Sequence, residues 1–287
     1  MFCFCLSGTY TISAQSISGG FKTGLNFSRF DGEQINDANG NSLESFDNST
    51  GFHIGAIVNF NLTDYFGFRT ELLYSQKGTS YIYDGPSYLR LYNENLSQNV
   101  VLDGNRRYSV NINNSYVDIP VMAYFRVGRI EVSAGVNAAV LLGSRASGEL
   151  AFRDVKTPLG QNLDDIIISI DANYFQDEYQ VQDFLDPGSL LIQNGAYVVP
   201  KTIGAYYDAN DSDENLFNRL DLGLNAQLAF YLNKGLFLGL RMNYGLTDVT
   251  NESQDVDYQA LNQSGQVELR DDFDQNISFQ VSIGFSF

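Results

Sequence analysis

The 287-residue chain has no tryptophan, one histidine, five prolines and two cysteines. Both cysteines, Cys3 and Cys5, precede residue 6, so the rest of the chain needs no disulfide. No stretch approaches the roughly 18 consecutive apolar residues of a membrane-spanning helix, which excludes a helical membrane protein. It does not exclude spanning strands, which carry apolar residues only at every second position. Basic residues are scarce: 17 Lys and Arg stand against 34 Asp and Glu, a formal charge of −17. That balance argues against nucleic acid as a partner, because its binding needs clustered cations. What the chain does have is 26 glycines, 18 tyrosines and 21 phenylalanines, the composition of strands and turns.

Residues 1–15 are uncharged and mildly apolar and end Ile12-Ser13-Ala14-Gln15. They read as the remnant of a secretory signal peptide cut near Ala14 or Gln15, which leaves residues 16–287 as a single domain.

Eight runs alternate with the two-residue period of a strand, near residues 21–28, 52–61, 66–77, 116–126, 130–140, 220–230, 236–245 and 277–287. The last, Ile277 to Phe287, alternates without a break and stops on an aromatic residue, the habit of outer-membrane barrels, whose closing strand is their last. Pro120 falls inside the fourth run and predicts a bulge there. Short turns at 62–65, 127–129 and 232–235 alternate with long polar segments at about 31–50, 78–109, 144–217 and 247–274. This is the order of an up-and-down barrel with short periplasmic turns and long outer loops. The long segments hold 29 of the 34 acidic residues, so the acidity belongs to the loops.

Alternation alone fits a soluble barrel equally well, and the polar face decides between them. It is rich in Gly, Ser and Asn, with few and nearly balanced charges: Lys22, Arg69, Lys77, Arg126 and Arg241 against Glu71, Asp118, Glu131 and Asp221. Such a face suits a narrow lumen, while the charge-free apolar face suits lipid. The expected fold is therefore all-β: an eight-stranded antiparallel transmembrane barrel in the bacterial outer membrane, with both termini in the periplasm.

Four motifs sharpen this. The opening Gly20-Phe21-Lys22-Thr23-Gly24-Leu25-Asn26-Phe27-Ser28, then Thr70-Glu71-Leu72-Leu73-Tyr74-Ser75-Gln76-Lys77-Gly78, Tyr116-Val117-Asp118-Ile119-Pro120-Val121 and Leu240-Arg241-Met242-Asn243-Tyr244-Gly245-Leu246-Thr247-Asp248 occur in that order. Together they resemble the PorT-like outer-membrane β-barrel domains of Bacteroidetes. The resemblance implies an eight-stranded barrel akin to OmpX and OmpA but little about activity. One subset of that family takes part in protein secretion across the outer membrane.

Eight strands leave an interior just filled by side chains, so the inward charges Arg69, Glu71, Asp118, Glu131, Asp221 and Arg241 are expected to plug the lumen as ion pairs. Asp118 could stand near Glu71 or Glu131 only with an arginine between them. His53 lies on the polar face and is expected to fill the lumen, since no motif supplies a nucleophile and an orienting carboxylate. The stretch Asp208, Asn210, Asp211, Asp213 and Glu214 sets oxygen ligands at near-alternate positions, a candidate cation loop without the turn glycine of an EF-hand. Similar acidic clusters occur at Asp255/Asp257 and Asp271/Asp272/Asp274. In the long third segment, Tyr174, Phe175, Tyr179, Tyr197, Tyr206 and Tyr207 are candidate contact residues, and its apolar pieces predict strand extensions or a small cap. These features predict a non-enzymatic surface protein without a cofactor, presenting acidic loops to lipopolysaccharide or a protein partner. A component of a secretion or envelope-assembly machine, or an integral-membrane enzyme using His53, are the alternatives.

Overall fold

In a strand, neighbouring side chains point to opposite faces, so each alternating run has one face to bury and one to expose. The computed structural model describes residues 16–177, 190–193, 195–209 and 214–287. The signal-peptide reading at residues 1–15, and Tyr179, Asn210, Asp211 and Asp213, lie outside the described residues.

Fourteen strands are described: β1 (Ser16–Asp31), β2 (Glu44–Asn61), β3 (Phe66–Asn93), β4 (Gln98–Val127), β5 (Ile130–Lys156), β6 (Ile166–Asn173), β7 (Leu190–Ile192), β8 (Tyr197–Val199), β9 (Thr202–Ile203), β10 (Leu220–Tyr231), β11 (Leu236–Gly245), β12 (Val256–Leu261), β13 (Val267–Leu269) and β14 (Gln275–Ser286). Eight of them pair antiparallel in an unbroken ring, β1–β2–β3–β4–β5–β10–β11–β14, and β14 returns to β1 through Gly20 opposite Ser286 to Asp31 opposite Gln275. The ring's cores are the eight alternating runs, and its short connections are the three turns read from the sequence. Gly128, at φ 59°, allows the two-residue turn between β4 and β5.

At the end of the ring that carries the short turns, the usual sorting of residues is inverted. Phe21, Leu25, Ile54, Phe68, Leu72, Val121, Val132, Leu228, Leu240 and Ile283 are exposed, while Lys22, Asn26, His53, Arg69, Glu71, Lys77, Asp118, Glu131 and Arg241 are buried. A continuous apolar belt of this extent does not face water in a monomeric protein.

Two expectations are corrected. The segment 78–109 is not a loop: β3 and β4 run on for 28 and 30 residues and leave only Glu94–Ser97 between them. Their extensions carry Tyr81, Tyr83, Leu89, Leu91, Leu102, Tyr108, Val110 and Ile112 inward, and these pack with Leu150 and Phe152 of β5 and with Ile166, Ile168 and Ile170 of β6 into a second, conventional core. β6 to β9 add to this upper sheet, and β12 pairs with β13 beside it, so the ring wears a cap. Burying that many apolar groups is reason enough for a polar-looking segment to become strand.

The second correction concerns Pro120. The β3–β4 ladder omits the pairing of Glu71 with Pro120 and of Leu72 with Ile119 without any change of register, as a missing N–H requires. A bulge lies higher, where Ser115 faces Gly143 but Tyr116 faces Leu141, leaving Leu142 as the extra residue.

Candidate functional site

Inward-facing positions of the ring stack in three ionic tiers. In the lowest, Glu131 of β5 accepts from Arg69 of β3 at 2.6 and 3.2 Å, from Arg126 of β4 at 2.6 and 2.9 Å and from the Tyr231 hydroxyl at 3.1 Å. Arg69 also donates to Asn59 at 2.7 Å, and the Arg126 guanidinium lies 3.9 Å from the Tyr231 ring centroid. Ile57, Ala229, Tyr231 and Phe237 form an apolar cluster at the same end.

In the middle tier Glu71 of β3 reaches across the lumen to Arg241 of β11 at 2.7 Å and meets Lys22 of β1 at 2.7 Å. Arg241 is steadied by Gln227 at 2.7 and 3.0 Å. In the upper tier Asp118 and Asp221 stand level on either side of Ala139, and Lys77 lies between them at 2.9 and 3.6 Å. Asn276 donates to Asp221 at 2.9 Å.

All six predicted lumen residues are therefore inside and paired. Asp118 stands beside neither Glu71 nor Glu131: its companion carboxylate is Asp221, and the bridge is Lys77. The reason is positional, because a flexible lysine arm can span the gap that the small Ala139 leaves. The same two-residue spacing that marked Arg69 and Glu71 also marks Lys22, Lys77 and Arg126, so these partners were findable from the sequence.

His53 is fully buried, with Nδ1 2.6 Å from Asn26 Oδ1 and Nε2 2.9 Å from Ser282 Oγ. This places a hydroxyl and an orienting amide on the imidazole, which the sequence did not suggest. A nucleophile must also be reached by substrate, and Ser282 is only 5% exposed. Neither His53 nor Ser282 lines the cavity beside Ser16 and Arg126, the two beside Tyr174 and Asp255, or the one beside Gln76 and Arg145.

Above the lumen, Phe30, Phe46, Tyr81, Tyr108, Val110, Ile112, Tyr174, Leu216 and Phe217 wall a small cavity of about 70 Å³ whose polar side is Thr250, Asp255, Arg270 and Asp274. Burial raises Asp255 to about 8 and Asp274 to about 6, with neighbouring Asp272 adding to both. Burial also raises Glu44, against the pull of Arg270.

Of the candidate cation loop, only Asp208 and Glu214 lie among the described residues. Asp208 is held by Arg106 through a two-pronged pair at 2.8 and 3.0 Å, and Glu214 accepts from Asn251 at 3.1 Å and Ser253 at 2.6 Å. A buried arginine in the cap needs that carboxylate more than a solvated cation would.

The candidate contact residues are corrected as well. Tyr174, Tyr197, Tyr206 and Tyr207 are buried. Tyr174 packs edge-on against Phe217 at 5.0 Å, the Tyr206 hydroxyl donates to the Tyr174 carbonyl at 2.9 Å, and that of Tyr207 donates to the Arg90 carbonyl at 2.5 Å. Phe175 is half-buried, 5.5 Å from the Arg219 guanidinium. These rings build the cap rather than offer themselves to a partner.

Known proteins give the following picture. The attachment invasion locus protein Ail of Yersinia pestis is similar at 10% identity over 94% of this chain and 98% of that one, with a TM-score of 0.37. Neisserial surface protein A is similar at 10% over 95% and 100%, with a TM-score of 0.36. The outer membrane protein OprG of Pseudomonas aeruginosa is similar at 10% over 95% and 97%, with a TM-score of 0.37. At such values no residue role passes from those proteins to this chain. No curated protein sequence matches it. Residues 13–251, most of the chain, match the model of the outer membrane protein beta-barrel domain. With its closed ring, its outward apolar belt and its paired interior charges, the chain belongs to the outer membrane beta-barrel domain family.

Proposed function

We propose that the protein is an eight-stranded transmembrane barrel, closed to solute passage, that holds a rigid acidic cap at the cell surface for binding. The observation that carries this reading is the continuity of β3, β4 and β5 from the apolar belt into a cap with its own buried core. A pore would need open space where Arg69, Glu131, Arg126 and Tyr231 meet, and an enzyme would need access to Ser282. Neither the lumen packing nor the burial of Ser282 favours those alternatives. In this reading the short turns and both termini face the periplasm, a signal peptide precedes the barrel, and the PorT-like resemblance describes its lineage. The acidic rim meets lipopolysaccharide through divalent cations or an envelope or extracellular protein through its basic surface.

Topology is tested with single cysteines and a membrane-impermeant maleimide on intact cells, with the parent chain as blank. Leu159→Cys, in the exposed turn after β5, is expected to label on intact cells. Lys234→Cys, in the short turn after β10, is expected to label only after the outer membrane is permeabilised. The reverse pattern overturns the orientation, and ohmic conductance of the purified protein in a planar bilayer overturns the closed lumen.

A further inference from the structure

Three carboxylates of the last long segment meet beside the cap cavity. Asp255, Asp272 and Asp274 each present one oxygen, and the three oxygens lie within 4.8 Å of one another. Oxygens around a single Ca²⁺ have such separations, because they stand roughly 2.3–2.6 Å from the ion.

Acidic residues are common in this chain, and proximity alone would mean little. These are distinguished by burial without compensation. Asp274 is 5% exposed, and its Oδ1 accepts no hydrogen bond. Oδ2 of Asp255 is likewise out of solvent and without a donor. Thr250 donates its hydroxyl to the other Asp274 oxygen at 2.8 Å. Arg270 is the cation in contact with the group, and it is already divided among Glu44 at 3.0 Å, the Glu33 carbonyl at 2.9 Å and Asp272. One guanidinium thus faces four carboxylates, counting Glu44. Buried carboxylates left unpaired are strongly unfavourable. A proton shared between two of them would satisfy one pair, whereas three converge here and two carry a free buried oxygen.

We propose that Asp255, Asp272 and Asp274 bind a hard divalent cation, with Ca²⁺ the best fit to an all-oxygen, flexible ligand set. The ion joins the two limbs of the last long segment, the one after β11 and the one before β14. It also seats them on the mouth of the ring, where Gly32 lies so close to Asp274 that a Cβ would stand 1.8 Å from Oδ1. The site is a structural clip and is independent of what the cap binds.

The test uses the full chain in detergent, stripped with EDTA and titrated with Tb³⁺. Tyr81 and Tyr258 line the same cavity as Asp255 and Asp274, so tyrosine excitation should sensitise an ion bound there. The expected result is emission that saturates at one ion per chain and is displaced by Ca²⁺. Asp255→Asn and Asp274→Asn should each weaken Tb³⁺ binding at least tenfold while keeping the heat-dependent gel mobility of a folded barrel. Asp84→Asn, an exposed acid paired with Arg107, should bind like the parent. A parent chain without saturable, Ca²⁺-displaceable emission overturns the proposal, as does an unchanged titration in the folded variants. Should those variants fail to fold, hydrogen exchange of the parent decides: slower exchange across 248–274 in Ca²⁺ than in EDTA supports the clip, and equal exchange overturns it.

Discussion

Below residue 78 the inward positions of β3 are mainly polar, Arg69, Glu71, Ser75 and Lys77 with Leu73 among them; above it they are mainly apolar, Tyr81, Tyr83, Leu89 and Leu91 with Thr79 and Ser87 among them. The strand does not turn over between the two halves, because odd-numbered residues stay buried from Gly67 to Leu91. Only the chemistry of the buried side changes. The surroundings explain this: where hydrocarbon bathes the outer face, the polar residues go inward and must pair, and where water does, the apolar residues go inward and pack. β4 changes less sharply between Ile112 and Asn114: Asn114 and Asp118 go inward below it, but so do Tyr116, Met122 and Tyr124. In β5 the extra residue Leu142 moves the buried positions from odd (Glu131, Asn137, Leu141) to even (Ser144, Ala146, Leu150), keeping its inward face aligned with β4.

Four substitutions probe the two halves. The largest effect is expected for Glu131→Gln, which leaves Arg69 and Arg126 sharing a neutral amide in the lowest tier. Breaking a buried pair in this way costs about 3–5 kcal/mol, read as a lower temperature for losing the fast-migrating folded band. Leu150→Ala removes a fully buried cap residue at about 2–5 kcal/mol. It should raise protease cleavage of the cap while leaving the barrel's gel shift in place, and loss of both together would mean the halves unfold as one.

Leu240→Arg puts a charge in the middle of the outward belt and should destabilise the folded band by about 2–4 kcal/mol. Ile167→Arg makes the same change on the outer face of the cap, where a surface substitution alters stability by no more than about 0.5 kcal/mol. Equal costs at Leu240 and Ile167 would erase the distinction between a lipid-facing and a water-facing half.

The lower half was legible in the sequence because one period and one polarity hold there together. Phe68 and Leu72 could be set outward and Arg69 and Glu71 inward from alternation alone. The charge partners were half legible: spacing places Lys77 inside, but its choice of Asp221 depends on which strands close the ring. The cap was hidden because Tyr81, Tyr83, Leu89 and Leu91 are interleaved with Asp84, Gly85, Pro86 and Arg90, so the segment has the polarity of a loop while keeping the period of a strand. The cluster of Asp255, Asp272 and Asp274 was not legible as a unit, since two separate acidic stretches meet only when the last long segment folds back. The pairing of Asp208 was hidden for a similar reason: Arg106, far away in sequence, is its partner.

The central claim is that single strands pass from lipid to water near residue 78. Its most direct test is spin-label accessibility along the outward positions of β3 in lipid bilayers, at Phe68, Leu72, Tyr74, Gln76, Ser80, Ile82 and Asp84. Oxygen accessibility should dominate from Phe68 to Tyr74 and a water-soluble relaxer from Ser80 to Asp84, with the crossover at Gln76 to Ser80. Water accessibility along the whole series, or oxygen accessibility continuing to Asp84, would contradict the account.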